Sequence, residues 1–165
     1  MPTTTKTGLK IADEVWIATA LLHRENPDRS DFSVQEIVGR AAREAIAGSI
    51  RPGVYVHAVQ HCVANRPPSP GTYRMLFETG RGRRRLFRRG DAYDRGREGG
   101  KVTPIAGQIP SRYARLLDWY QEWSSSARFS VIAEDPLMAL EGSGAELWSE
   151  EGPDAYVRRL REGWE

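Results

Sequence analysis

His57 and His61 stand four residues apart in YVHAVQHCVAN, with Cys62 directly after them. On a helix, that spacing puts both imidazoles on one face, where zinc can be held. The set is incomplete. Cys62 points about 100° away from His61, toward the apolar side, and neither HExxH nor CxxC occurs in the chain. Nucleophilic chemistry is not signalled either, since there is no GxSxG and no Walker loop. The run GRGRRR, residues 80–85, lacks the following helix start that a phosphate-cradling loop uses. Carboxylates are scattered rather than clustered. Cys62 reads as a small core residue. His23, the third histidine, sits at a helix end, where contact with the helix dipole suffices to explain it. No catalytic, metal or cofactor site is expected, and the remaining chemistry is that of binding.

For binding the chain is better equipped. Wound as a helix, VYVHAVQHCVAN places Tyr55, Val56, Val59, Cys62 and Val63 on one side and His57, Gln60, His61, Ala64 and Asn65 on the other. Asn and Gln can pair bidentately with adenine in the major groove, and a small residue at Ala64 would let the backbone approach. Arg51 and Arg66 flank the segment, where they would hold phosphates. Just beyond it, six arginines fall between Arg81 and Arg89, interrupted only by Gly82, Leu86 and Phe87. Arg81, Arg83, Arg84 and Arg85 at a hairpin tip would displace counterions from a phosphate backbone or enter a minor groove. A charged hairpin also serves merely to keep an edge strand soluble.

The elements that must position these residues are readable in part. Ile11, Val15, Ala18 and Leu22 recur at helical spacing over about 9–25, with Trp16, Ile17 and Leu21 widening the face. Asn26-Pro27 stops that helix. In DFSVQEI, Ser33 with Glu36 forms a capping box, and Phe32 with Ile37 a hydrophobic staple. The helix it opens is expected to run to about Ala47, bury Ile37, Val38, Ala41, Ala42 and Ala45, and end at Gly48. The third helix ends before Pro67. Residues 72–80 and 83–91 then read as two strands around Gly80-Arg81-Gly82, and 90–107 as a glycine-rich loop. Ser111 is placed to cap a fourth helix carrying Tyr113, Leu116, Leu117, Trp119, Tyr120 and Trp123, and SSSARFS, residues 124–130, reads as a linker. Helix, helix, helix, hairpin is the order of a winged helix-turn-helix. The fold expected is therefore α+β, mainly helical: a winged domain over 9–123 with a two-stranded wing, followed by an extended or helical tail over 131–165.

Bulk properties agree with a soluble binding protein. The 165 residues are 39% hydrophobic and 28% charged, which suffices for one domain with a core and a tail. No apolar run has the length of a membrane span or a signal peptide, and one cysteine allows no internal disulfide. A cytoplasmic location is expected. The net charge of +2 hides a division: residues 51–101 carry 12 Lys/Arg and 4 Asp/Glu, whereas residues 102–165 carry 6 and 11. A basic middle and an acidic end suggest separate partners, or a self-contact.

Two resemblances follow from these stretches. IADEVWIATALLHRENPDRSDFSVQEIV, HCVANRPPSPGTYRMLF and RRLFRRGD together look like a small prokaryotic winged-helix-like family, from which no activity is implied. The end of the chain, DPLMALEGSGAELWSEEGPDAYVRRLREGWE, resembles the C-terminal segment of VapB-type antitoxins. That resemblance implies a DNA-binding domain with a tail that wraps a PIN-domain ribonuclease toxin, with Leu137, Leu140, Leu147, Trp148, Tyr156, Leu160 and Trp164 as anchors. Residues 134–165 carry 9 acidic and 3 basic residues around apolar knots, a composition that buries too little alone to offset its ordering entropy. The function expected is double-stranded DNA binding, in a transcriptional regulator or antitoxin whose tail binds a partner, with Trp119 and Trp123 as a candidate homodimer surface. The alternative is a protein-interaction module without DNA, its basic hairpin meeting an acidic partner or its own tail.

Overall fold

A computed structural model of the chain describes residues 8–133, with side chains to residue 126. The chain divides into two compact units, Met1–Ser125 and Ser126–Glu165. The anchors Leu137, Leu140, Leu147, Trp148, Tyr156, Leu160 and Trp164 lie outside the described residues.

The described elements make an α+β fold. In order they are α1 (Ile11–Glu25), β1 (Phe32–Ser33), α2 (Val34–Glu44), α3 (Gly53–Val56, continued by a π-turn His57–His61), β2 (Leu76–Gly80), β3 (Arg83–Leu86) and α4 (Arg115–Ala133). The strands form one antiparallel sheet in the order β1-β3-β2. None of the described helices is long and apolar enough to cross a membrane.

α1 is the central element. Every residue from Ala12 to Ala20 is buried, so the helix has no solvent face over that stretch, against the single apolar face expected. It contacts α2, α3 and β3, and Trp16 meets Tyr120 of α4 edge to face, centroids 5.6 Å apart. Two acids are enclosed with it. Asp13 pairs with Lys101 at 2.8 Å and Glu14 with Arg51 at 3.0 Å, because a buried carboxylate needs a cation or donors beside it.

α2 opens as its sequence requires. Glu36 N–H donates to Ser33 Oγ at 3.1 Å, and Ser33 N–H donates to Glu36 Oε2 at 2.8 Å. Phe32 and Ile37 are fully buried. Arg29 forks onto the Glu36 carboxylate, and its hydrogen bond, followed by that from the Ser33 N–H, holds the Glu36 pKa down at about 2. Ser33→Ala is expected to lower stability by about 1 kcal/mol, seen as a fall of roughly 4 °C in Tm. The end of α2 differs from expectation. Glu44 closes it, Ala45 takes the left-handed conformation at φ 44°, and Gly48, at φ 90°, lies in the turn beyond. Ala42 is exposed and Ala45 only half-buried.

The hairpin is present, with a third strand that sequence did not announce. Leu76 faces Leu86, Phe77 Arg85 and Glu78 Arg84, with a bulge between Glu78 and Gly80. Phe32 and Ser33 pair with Arg84 and Arg83 on the other edge of β3. The turn is Arg81-Gly82, with Gly82 at φ 71°.

The segment read as a linker, 124–130, is helical in backbone and belongs to α4. Serine can replace a water bond by donating to the preceding turn, and Ser125 Oγ donates to Gln121 O at 2.7 Å. Ser111, expected as the cap, lies inside a short 3-10 turn, Ser111–Tyr113, whose N-cap is Pro110. Trp119 stacks on Trp123, centroids 5.8 Å apart. Trp123 packs on His23 at 4.7 Å and has the Arg88 guanidinium 4.3 Å from its centroid, so it contributes to the packing of its own unit.

Candidate nucleic-acid interface

α3 controls what the unit can present. Its buried side is Val54, Ala58 and Cys62, at i, i+4 and i+8. Tyr55 and Val56 are 53% and 44% exposed, and Ile50, in the turn before, is 42% exposed. The face predicted to be apolar and inward therefore points partly outward. The phase is set by small Ala58, fully buried, rather than by the larger Tyr55 and Val56. Ala64, expected on the polar face, is also fully buried: its N–H donates to Leu76 O at 2.8 Å, outside any helix.

The second cause is the π-turn. Cys62 N–H donates to His57 O, five residues back, at 3.0 Å. A wheel drawn at the ordinary α-helical angle loses register there. The carbonyls at this helix end need donors, and two arginines supply them. Arg84 donates from Nε to Ala58 O and from Nη2 to Val59 O, each at 3.2 Å. Arg97 donates from Nη2 to Gln60 O at 2.9 Å and from Nη1 to His61 O at 2.8 Å. Four consecutive carbonyls are thus capped by positive charge, which also complements the helix dipole.

This changes the role of the arginine-rich hairpin. β3 alternates, so Arg84 shares the inward face with Leu86 and is 1% exposed. Burial removes it from any interface, correcting its assignment to phosphate. Arg83 pairs with Asp31 at 2.6 Å, and that hydrogen bond, with one from Thr79, holds the Asp31 carboxyl below its usual range. Arg85 forks onto Asp91 at 2.6 and 2.8 Å and lies 4.4 Å from the Phe77 centroid. Arg66 forks onto Glu78 and depresses its pKa. Arg51 holds Glu14 and donates to Leu9 O. Of the six arginines assigned to phosphate, Arg81 alone is exposed and without an ion pair among the described residues.

The predicted base readers are brought to one segment, where both amides and His57 Nδ1 are engaged and His61 Nδ1 is buried without a hydrogen-bond partner among the described residues. Asn65 donates to Glu78 O at 2.9 Å and accepts from Glu78 N–H at 2.8 Å, extending the β2 edge like a peptide unit. Gln60 Nε2 donates to Pro67 O at 2.8 Å. His57 and His61 are half-buried and meet edge to face at 4.9 Å. His57 Nδ1 lies 2.8 Å from Gly53 O, and burial pushes its pKa below the ordinary value. Cys62 is wholly buried, which pushes its thiol pKa up. Among the described residues there is no group of three or more His, Cys, Asp or Glu that could hold a metal ion.

Arg97 is the functional-looking residue that sequence reading passed over. It is fully buried and donates to six backbone carbonyls: Gln60, His61, Arg66, Pro67, Gly71 and Tyr73. The loop carrying it packs tightly. A Cβ on Gly100 would lie 1.8 Å from Thr72 O, so no larger residue fits there. The signal available in sequence was an arginine set among glycines in RGREGGK, with Arg95 two residues before it, which does not reveal its acceptors.

Neither a protein-family model, nor a curated protein, nor a solved structure matches the chain.

Proposed function

We propose that the described unit is a winged helix-turn-helix domain that binds double-stranded DNA, with α3 as the groove helix and the β2–β3 hairpin as the wing. The observation that carries the reading is the order α1-β1-α2-α3-β2-β3 with β1 paired to β3. Among the described residues it leaves the outer side of α3 and the tip at Arg81 exposed. Charge supports it: residues 8–126 carry 19 Lys/Arg and 13 Asp/Glu, enough for attraction to a polyanion. The cationic contacts are fewer than the sequence promised. Arg81 is the tip guanidinium without an ion pair among the described residues, and Arg83, with 43% of its side chain exposed beside Asp31, is the next nearest. Residues 131–165 are proposed to hold a protein partner of the PIN-domain toxin class, on sequence resemblance alone.

The test is fluorescence anisotropy with a labelled duplex across a salt series. Arg81→Ala is expected to weaken binding and to lower the log–log salt slope by about 1, the value of one phosphate contact. Absence of wild-type binding at low salt would overturn the reading. Changing Arg81, Arg83, Arg84 and Arg85 together would test the fold instead, since Arg84 is buried.

A second reading has its own observation. Ile50, Tyr55 and Val56, within seven residues of chain, are exposed large apolar side chains of the kind that a protein partner covers. Under it, Tyr55→Ala with Val56→Ala would leave the salt slope of any DNA binding untouched and abolish the protein contact.

A further inference from the structure

We infer that α3 recognises the C5 methyl groups of pyrimidines in the major groove, thymine being their ordinary source; this rests on the DNA-binding reading above. α3 and its π-turn, GVYVHAVQH, contain no lysine, arginine or carboxylate. The two amides that would pair with adenine are engaged inside the protein: Gln60 on Pro67 O, and Asn65 on both backbone groups of Glu78. Turning Asn65 toward a base would strip the Glu78 N–H and C=O of their partners. His57 has Nδ1 at Gly53 O and is held toward its neutral form by burial.

What remains outward at the start of α3 is Tyr55 and Val56. An aliphatic or aromatic side chain in the major groove has one apolar feature to meet, the pyrimidine 5-methyl group. The hairpin points to the same base pairs independently. Its tip offers one guanidinium without an ion pair among the described residues, Arg81, between Gly80 and Gly82. A lone arginine is best accommodated where the minor groove is narrow and its negative potential strongest, in A·T tracts. Thymine methyls on one side and a narrow groove on the other are properties of one kind of sequence.

The full chain should be titrated by anisotropy at low salt into four duplexes: A·T-rich, the same with deoxyuridine for thymine, G·C-rich, and G·C-rich with 5-methylcytosine. Deoxyuridine removes the methyl and keeps every hydrogen-bonding group. The thymine duplex is expected to bind more tightly than the deoxyuridine duplex by roughly fourfold per methyl contacted. A gain of the same order from 5-methylcytosine would identify the methyl itself as the feature read, whichever base carries it. Tyr55→Ala with Val56→Ala should erase the difference, whereas Arg81→Ala should weaken all four duplexes and preserve the thymine-to-deoxyuridine ratio. Equal binding of thymine and deoxyuridine duplexes would overturn the inference and leave DNA binding standing. Binding to none of the four would overturn both.

Discussion

Arg97→Ala is expected to cost on the order of 4 kcal/mol and to lower Tm by roughly 15 °C, measured by thermal unfolding followed by circular dichroism. The reason is the number of groups left behind. All six acceptors of this guanidinium are backbone carbonyls, and those of Gln60 and His61 belong to the end of the helix that the proposal places in the groove. A carbonyl buried without a donor costs about 1–3 kcal/mol. Several of the six have no alternative, since the loop from Arg66 to Tyr73 is folded around the cation. Arg97→Lys separates charge from shape. An ammonium has three donors and no planar fork, so it should recover only a minor part of the loss. A Tm for Arg97→Ala within a few degrees of wild type would show that the cage is not what holds α3 to the sheet. The same variant predicts a functional consequence, because an uncapped π-turn frees Gln60 and the histidines from their present positions, and any sequence preference in DNA binding should flatten.

Acidification from pH 6.5 to pH 4 should remove about 3 kcal/mol of stability through His23 alone. The sequence reading gave this histidine a favourable role as a cation at a helix end. The structure corrects it. His23 is 2% exposed, between Phe32 at 4.9 Å and Trp123 at 4.7 Å, and its Nε2 accepts the Leu86 N–H at 3.3 Å, so the imidazole is neutral. Burial first, then the positive charges of Arg88 and Arg85, push its pKa down to about 4, against smaller opposing contributions from a backbone hydrogen bond at Arg29 and from Asp31. The unfolded chain takes up the proton near pH 6.5 and the folded protein does not until about pH 4. Stability is therefore complete above 6.5 and falls as pH drops through that window. His57, lowered in the same direction, adds to the slope. Urea midpoints measured between pH 7.5 and 4.5 should show the fall, and His23→Gln, which keeps an acceptor but no titrating group, should reduce it to what His57 contributes. A flat wild-type profile over this range would mean that His23 is solvated. The carboxylates lowered by their arginines, Glu36 and Asp31 among them, begin to lose their own stabilisation as the pH approaches their ordinary range, so the His23 contribution is read from the part of the profile above about pH 5.5.

Features whose partners lie within a few residues were legible. The Ser33–Glu36 capping box, the stop at Asn26-Pro27 and the turn at Arg81-Gly82 follow from side chains and backbone that meet locally, and each is present. Two local readings failed for local reasons. Ser124 and Ser125 looked like linker residues, yet they donate to Gln121 O and continue the helix. The phase of α3 was assigned from its largest apolar residues, when small Ala58 marks the buried side and a five-residue π-turn breaks the ordinary period.

β1 was invisible because two residues, Phe32 and Ser33, become a strand only by pairing with β3, about fifty residues on. The arginines divide the two kinds of knowledge most clearly. Arg84 was expected at the phosphate with its neighbours, and only the pairing of β3 turned it inward beside Leu86. Which oxygens it meets was not determined. Ala58 O lies 26 residues away along the chain, and the acceptors of Arg97 lie 24 to 37 residues away. The sequence by itself determined the caps, the turn and the supply of positive charge, because those depend on neighbours in the chain. Only the tertiary structure decided that most of this charge closes the ends of the protein's own helix and pairs with its own carboxylates. The free energy of a guanidinium depends on the acceptors and solvent around it, and the fold alone brings those together.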